Sequence, residues 1–333
     1  MKLKLCIIAS LLMLNSTTLF ADVSIPYGEG PGKVDFINNN KYPKIDDPQP
    51  SGPFSFRVIG SYTWVADSVG DKIMKFDKDG TLLSEFSVLP EGTKPFNLDK
   101  YKLPIFNMCI ADFAPVLDQK GEVSAWWIAD VSKRKLVKFS ADGKKLAEVT
   151  HDKFGQLYRI EVGKGGHIFV ADKIAKAIFT FDADGKFVKE ENWQWSGMAV
   201  SGTDDILYRL MYDEVARRNI LVASNLKGKI FKEQMLDAFM FNPKLWWIDE
   251  LKGECLVTYS EPKFDGNYHV LRFNLDDGKV IARGIMPAPL LMNRFIDNNK
   301  GDVYIGKGNF FTAPEGNFEV VPYKLPDKKI GGK

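Results

Sequence analysis

Apolar residues along the chain fall into short β-branched and aromatic runs, and turn residues separate them. The pattern repeats. The segment WVADSVGDKIMKFDKDGTLLSEF (64–86) returns as WIADVSKRKLVKFSADGKKLAEV (127–149) and as FVADKIAKAIFTFDADGKFVKEE (169–191). Each copy reads as two strands followed by a turn written Asp-Gly, at Asp79-Gly80, Asp142-Gly143 and Asp184-Gly185. Glycine there supplies the positive φ that a hairpin turn needs. Weaker copies keep Gly228 in 219–233 and Asp277-Gly278 in 268–284. The turn glycines are spaced by 63, 42, 43 and 50 residues, so the first step holds an insertion, roughly 90–104.

Upstream of each hairpin lies another strand pair, as in YRIEVGKGGHIFVAD (158–172), WWIDELKGECLVTYS (246–260) and RFIDNNKGDVYIGKG (294–308). One unit is thus four short antiparallel strands, which cannot bury both faces alone. Side-by-side packing in a ring buries them. Six units, starting near Phe54, Met108, Tyr158, Met198, Trp246 and Asn293, predict an all-β, six-bladed β-propeller. The sixth unit lacks its outer strand, because only the polar tail PDKKIGGK follows FEVVPYKL (318–325). Residues 23–27 at the other end are a spare strand, expected to complete the last blade and remove its unpaired edge. Residues 33–37 are the second choice, and 38–52, rich in Asn, Asp and Pro, read as the crossing loop.

The arrangement apolar-Ala-Asp, a charged turn, then Phe-Asp-x-Asp-Gly-Lys resembles the NHL repeat, closely in the first three units and loosely in the last three. YGEGPGKVDF resembles the glycine-rich linker between NHL blades. The likeness covers nearly all of residues 22–333 and implies the propeller as a single domain. It does not fix a function, since the fold serves docking domains, lyases, lactonases and adaptors alike.

Composition adds the compartment. Residues 1–21 carry Lys2 and Lys4, then an apolar run over 5–14, polar residues at 16–18 and Ala21 at a plausible cleavage point, the order of a secretory signal peptide. The run is too short for a membrane anchor. A periplasmic or secreted protein with no membrane span is expected. The chain has 45 basic and 43 acidic residues; without Lys2 and Lys4 it is neutral, which excludes nucleic acid as an electrostatic partner. Of the three cysteines, Cys6 lies in the leader, while Cys109 and Cys255 sit in apolar runs and read as buried thiols.

Candidate chemistry is sparse. Asp67, Asp130 and Asp172 recur at one repeat position and are expected to cap the following turn. His151, His167 and His269 fall on an outer, a second and a third strand, so they are not expected to converge on zinc. That counts against the zinc-dependent lyases which the NHL likeness would otherwise admit. Glu29-Gly30-Pro31 resembles the metal-binding opening of gluconolactonase-like propellers, without its Trp. Aligning the innermost strands puts Arg57, Arg159 and Arg294 at one position, where the other units have Cys109, Ala199 and Trp247. Such residues face the central channel, where the three cations could bind an anion beside one aromatic wall. Alternatively each Arg pairs with an acid such as Glu161 or Asp297. In the Trp pairs 126/127, 193/195 and 246/247, alternation lets at most one ring of each reach a ligand.

Two functions follow. The first is a monomeric, cofactor-free binding or scaffold module for a protein, peptide or anionic glycan, held on the rim or in the channel by Arg57, Arg159, Arg294, Trp247, Asn107 and Asn293. The alternative is a lactonase or other hydrolase that uses a divalent metal such as calcium, with Asn107, Asn293 and Glu29 as nominees. No catalytic motif is present in the sequence.

Overall fold

The computed structural model describes residues 22–41, 51–99, 104–263, 265–288, 292–299, 301–309 and 312–325. The expected leader lies outside them. The described residues form six four-stranded antiparallel sheets and one two-stranded hairpin. Five sheets follow chain order over 55–87, 110–150, 157–192, 198–235 and 241–287. The sixth runs over 296–323 and takes its outer strand from Val23–Pro26, with Val23 opposite Val320 and Ile25 opposite Phe318. The architecture is a six-bladed β-propeller closed by its N-terminal strand. Val23 and Ile25 are buried while Ser24 and Pro26 face outward, so the alternation of the strand fixes its register. The second-choice segment is buried at Val34, Phe36 and Ile37 but only buttresses the closure: Val34 N–H donates to the Pro26 carbonyl at 3.1 Å. Of the expected crossing loop, residues 42–50 lie outside the described residues.

Five blades begin within three residues of the expected positions. Blade 5 begins earlier, at Phe241–Asp249, because two bulges lengthen its innermost strand. The insertion after blade 1 folds into a hairpin of Phe96–Leu98 with Pro104–Phe106.

The recurring aspartates behave as caps. Asp172 Oδ1 accepts the amides of Ile174 and Ala175, both at 2.9 Å, and Oδ2 accepts Gly155 N–H at 2.7 Å. One carboxylate therefore ties the turn after strand 2 to the start of the same blade. Asp130 does the same for Cys109 and Ser132. The Asp-Gly turns are looser than a two-residue hairpin. Asp77 Oδ1 accepts the amides of Asp79 and Thr81, Gly80 sits at φ 79°, and a bulge follows. The anchoring polar residue thus stands two positions before the Asp-Gly pair. Ser140 and Asp182, and in a weaker copy Asn225, take the same role, while Asn274 stands three positions before its Asp-Gly pair and accepts the amides of Asp276 and Asp277.

The core lies between blades. Trp126 packs on Trp64 and Phe113, each at 4.8 Å, and Trp127, pointing the opposite way, joins the cluster shared with blade 3. Trp246 meets Phe295 of blade 6 at 4.4 Å. Cys109 and Cys255 are buried free thiols.

Candidate functional site

The innermost strands bring Arg57, Arg159 and Arg294 together in the centre of the ring, and they bring three carboxylates with them. Arg294 makes a bidentate pair with Asp112, Nε at 3.0 Å and Nη2 at 2.8 Å, and its Nη2 also reaches Glu161 at 2.6 Å. Arg57 lies 3.1 Å from Glu161 and 3.7 Å from Asp297. Its remaining donors go to the carbonyls of Phe113 and Ile160, both at 2.9 Å. Arg159 lies 3.2 Å from Glu161 and 3.8 Å from Asp112. The cluster is formally electroneutral and buried deepest at Arg159 and Arg294, 1% exposed, and Asp112, fully buried, while the Glu161 side chain keeps 15% exposure.

Burial pushes the Asp112 carboxyl up, but Arg294 and Arg57 outweigh it and hold it well below the usual carboxylate range. Glu161 is lowered in the same way against the cost of its burial. At Asp297 burial wins over the arginines and the carboxyl is raised. The Arg159 guanidinium drops to about 10 through its burial and the charge of Arg294. Blades 1, 2, 3 and 6 supply all six ionic groups. Glu161 and Asp297 were legible as partners of the arginines. Asp112 was not, because a bulge between Ile110 and Asp112 shifts the repeat position there.

The other sequence nominees are scattered. The ring over Arg159, at 4.7 Å, belongs to Trp246; the bulge at Leu245/Trp247 displaces the register, and Trp247 packs half-buried against the core shared by blades 5, 6 and 1. Asn293 donates to the Ala111 carbonyl at 2.9 Å, between blades 6 and 2. Asn107 donates to the Lys94 carbonyl at 2.8 Å and closes the inserted hairpin. Glu29 pairs with Lys41 at 2.9 Å. His151 packs on Phe179 and Phe187, His167 meets Asp205, and His269 stacks on Tyr259. Among the described residues no group of three His, Cys, Asp or Glu side chains could hold a metal ion.

Away from the centre, on the face where the innermost strands begin, a cavity of about 360 Å³ opens between blades 4 and 5. Trp195, Tyr212, Met211, Phe239 and Phe241 supply its apolar wall; Lys244 closes it on the side of the channel. Trp195 is half exposed and sits at φ 60°, in the left-handed region that a bulky side chain avoids at a cost of about 1–3 kcal/mol. Its indole N–H donates to the Lys173 carbonyl at 3.0 Å, which holds the ring over the cavity. Gly197 fastens the loop to blade 5: a Cβ there would lie 2.3 Å from the Leu245 carbonyl oxygen. Phe239 is 68% exposed and Val215 97% exposed. In the sequence Trp195 stands out only as half of a Trp pair, and Phe239, Phe241 and Lys244 do not stand out as site residues. The signal available was FMFNPK (239–244), an apolar-aromatic run in a connection that a buried strand does not explain.

The class defined by this fold is the six-bladed β-propeller. No family model matches the chain, and no curated protein matches it. Solved structures do match in fold. A member of the DUF4221 family from Bacteroides vulgatus is 13% identical, with 92% of this chain and 97% of that chain covered and a TM-score of 0.52. BBS1N, solved in complex with ARL6DN, is 12% identical, with 84% and 82% covered and a TM-score of 0.51. At such identities the likeness is one of fold.

Proposed function

We propose that this protein is an exported NHL-like propeller that works as a binding module, and that it meets a partner protein or peptide on the rim of blades 4 and 5. The observation that carries this reading is the concentration of Trp195, Tyr212, Phe239 and Phe241 around one cavity, all exposed and on one face. Grouped exposed aromatics with a strained anchor are unusual on a surface that serves only solubility. The six-membered ion cluster belongs to the frame in this reading: its cations are already matched by carboxylates, so an incoming anion would have to displace one. The fold of BBS1N, similar to this one, is found in a complex with ARL6DN, a precedent for propeller docking.

A photo-crosslinking residue placed at Phe239, compared with one at Leu251 on the opposite face, tests the reading in the native envelope or medium. Partner protein captured from Phe239, whose binding to the purified propeller is lost in Phe239→Ser, supports it. Capture only from Leu251 overturns it. Export is tested separately: the mature chain should begin at or close to Asp22, and retention of Met1 would sink that part.

A further inference from the structure

Among the half-buried cations of the described residues, Lys75 and Lys138 lie over aromatic rings with no carboxylate ion pair, and Lys173 and Lys244 differ from them in sharing one phenol. The arginines of the channel, Lys41, Lys72, Lys135 and Lys189 all have carboxylate partners. Among the described residues Lys173 and Lys244 have an aromatic phenol between them instead. Lys244 Nζ donates to Tyr158 Oη at 3.1 Å, and Lys173 Nζ lies 4.0 Å over the same ring. Burial disfavours the Lys244 ammonium, but Tyr158 outweighs it and raises its pKa; Lys173 is lowered by burial, and the repulsion of Lys244 adds to that. Burial pushes the Tyr158 phenol up, and the two ammonium groups bring it below its usual value. Among the described residues neither lysine forms an ion pair with a carboxylate, and the largest electrostatic partner of each is Tyr158. Lys244 is the one formally charged group on the wall of the aromatic cavity.

We infer that this cavity recognises a peptide's C-terminal carboxylate, with the apolar last side chain seated between Trp195, Phe239 and Phe241 and the carboxylate set against Lys244 and Lys173. The inference rests on the binding reading above and names its ligand. Two observations favour a terminus over a passing chain. Lys244 stands on the channel side of the cavity, since it lies on the innermost strand of blade 5 and its partner Tyr158 on that of blade 3, while Lys173, just after the second strand of blade 3, covers the other side of the Tyr158 ring. Beyond them the centre is filled by Arg159 and its partners, so a chain reaching the lysines has nowhere to continue. A charge-assisted contact in a partly dry site is worth about tenfold in affinity.

The probes are N-acetyl-L-phenylalanine, its carboxamide, and N-acetyl-aspartyl-phenylalaninamide, each titrated against the indole N–H resonance of Trp195. The acid is expected to bind about tenfold more tightly than the carboxamide at low salt. Lys244→Gln and Lys173→Gln should each narrow that gap by weakening the acid more than the carboxamide, and Lys244→Arg should preserve it. Phe239→Ser should weaken both ligands alike. Equal affinities for acid and carboxamide would overturn carboxylate recognition and leave the aromatic rim as a docking surface. Binding of the aspartyl probe as tightly as the acid would overturn the terminus. No perturbation of Trp195 by any probe would overturn the inference, whereas the binding reading itself stands or falls on the crosslinks from Phe239.

Discussion

Asp71 shows how one residue can set the pH response of the ring. It is fully buried at φ 50°, beside the capping carboxylates Asp67 and Asp130, with the Met108 amide as the one backbone donor that lowers its carboxyl. Burial first, then the charges of Asp67 and Asp130, push its carboxyl up to about 9; Asp67 itself rises to about 6, mainly through burial. The folded chain therefore keeps a proton that the unfolded chain gives up near pH 4. Stability from this group is greatest below about pH 4 and falls as pH rises towards 9, because the unfolded state binds fewer protons across that window. Asp71→Asn removes the penalty, and its amide can donate to the unpartnered Asp130 oxygen. The variant should be more stable at pH 7 by on the order of a few kcal/mol, with the gain shrinking as pH falls to 4. Denaturant melts at several pH values check it; a variant no more stable at pH 7 would show that the Asp71 environment is better solvated than its geometry implies. The lowered Asp112 and Glu161 act in the opposite sense, since their contribution is lost as pH drops below the ordinary carboxylate range.

At the level of elements, the closing strand is the natural test of the ring. Val23 and Ile25 are buried against Val320 and Phe318, and each fully buried aliphatic side chain contributes about 1.5–3 kcal/mol. Deleting residues 22–27 also bares the edge of blade 6. The truncated protein should melt several degrees lower or aggregate; an unchanged melt would mean the outer strand of that blade is dispensable. Strands and closure were legible because repetition at fixed spacing and two-residue alternation survive in the residues themselves. The bulges were not. Nothing in NPKLWWID (242–249) announces that the register slips twice, so the alignment put Trp247 where Trp246 stands, and passed over Asp112 for the same reason. The rim cavity was invisible for a different reason: Trp195 and Phe239 come from two separate loops and Tyr212 from the end of a strand, and only the folded ring brings them together.

Across the whole molecule the ion cluster is lopsided, and that asymmetry has a mechanical consequence. Blades 6, 1, 2 and 3 are pinned at the centre by Arg294, Asp297, Arg57, Asp112, Arg159 and Glu161. Among the described residues, blade 4 offers the cluster the Met198 carbonyl, 3.5 Å from Arg159, and blade 5 the face of Trp246, with no ionic group from either. The innermost strand of blade 4 is also the shortest of the six, Met198–Val200. Blades 4 and 5 are joined there by the main-chain bridge between Gly197 and Leu245, with Leu245 N–H donating to Ser196 at 2.7 Å. The frame is thus rigid over four blades and more easily opened at the two that carry the aromatic rim, as befits a surface that must adjust to a partner. Amide hydrogen exchange should be faster in 198–200 and 241–249 than in 55–59 and 157–162. Asp112→Ala should cost about 3–5 kcal/mol by stranding Arg294 in a buried site, and should erase the contrast by loosening blades 6, 1, 2 and 3. Uniform exchange around the ring in the unmutated protein would show instead that the cluster does not set local stability, and that packing between blades alone distributes it evenly.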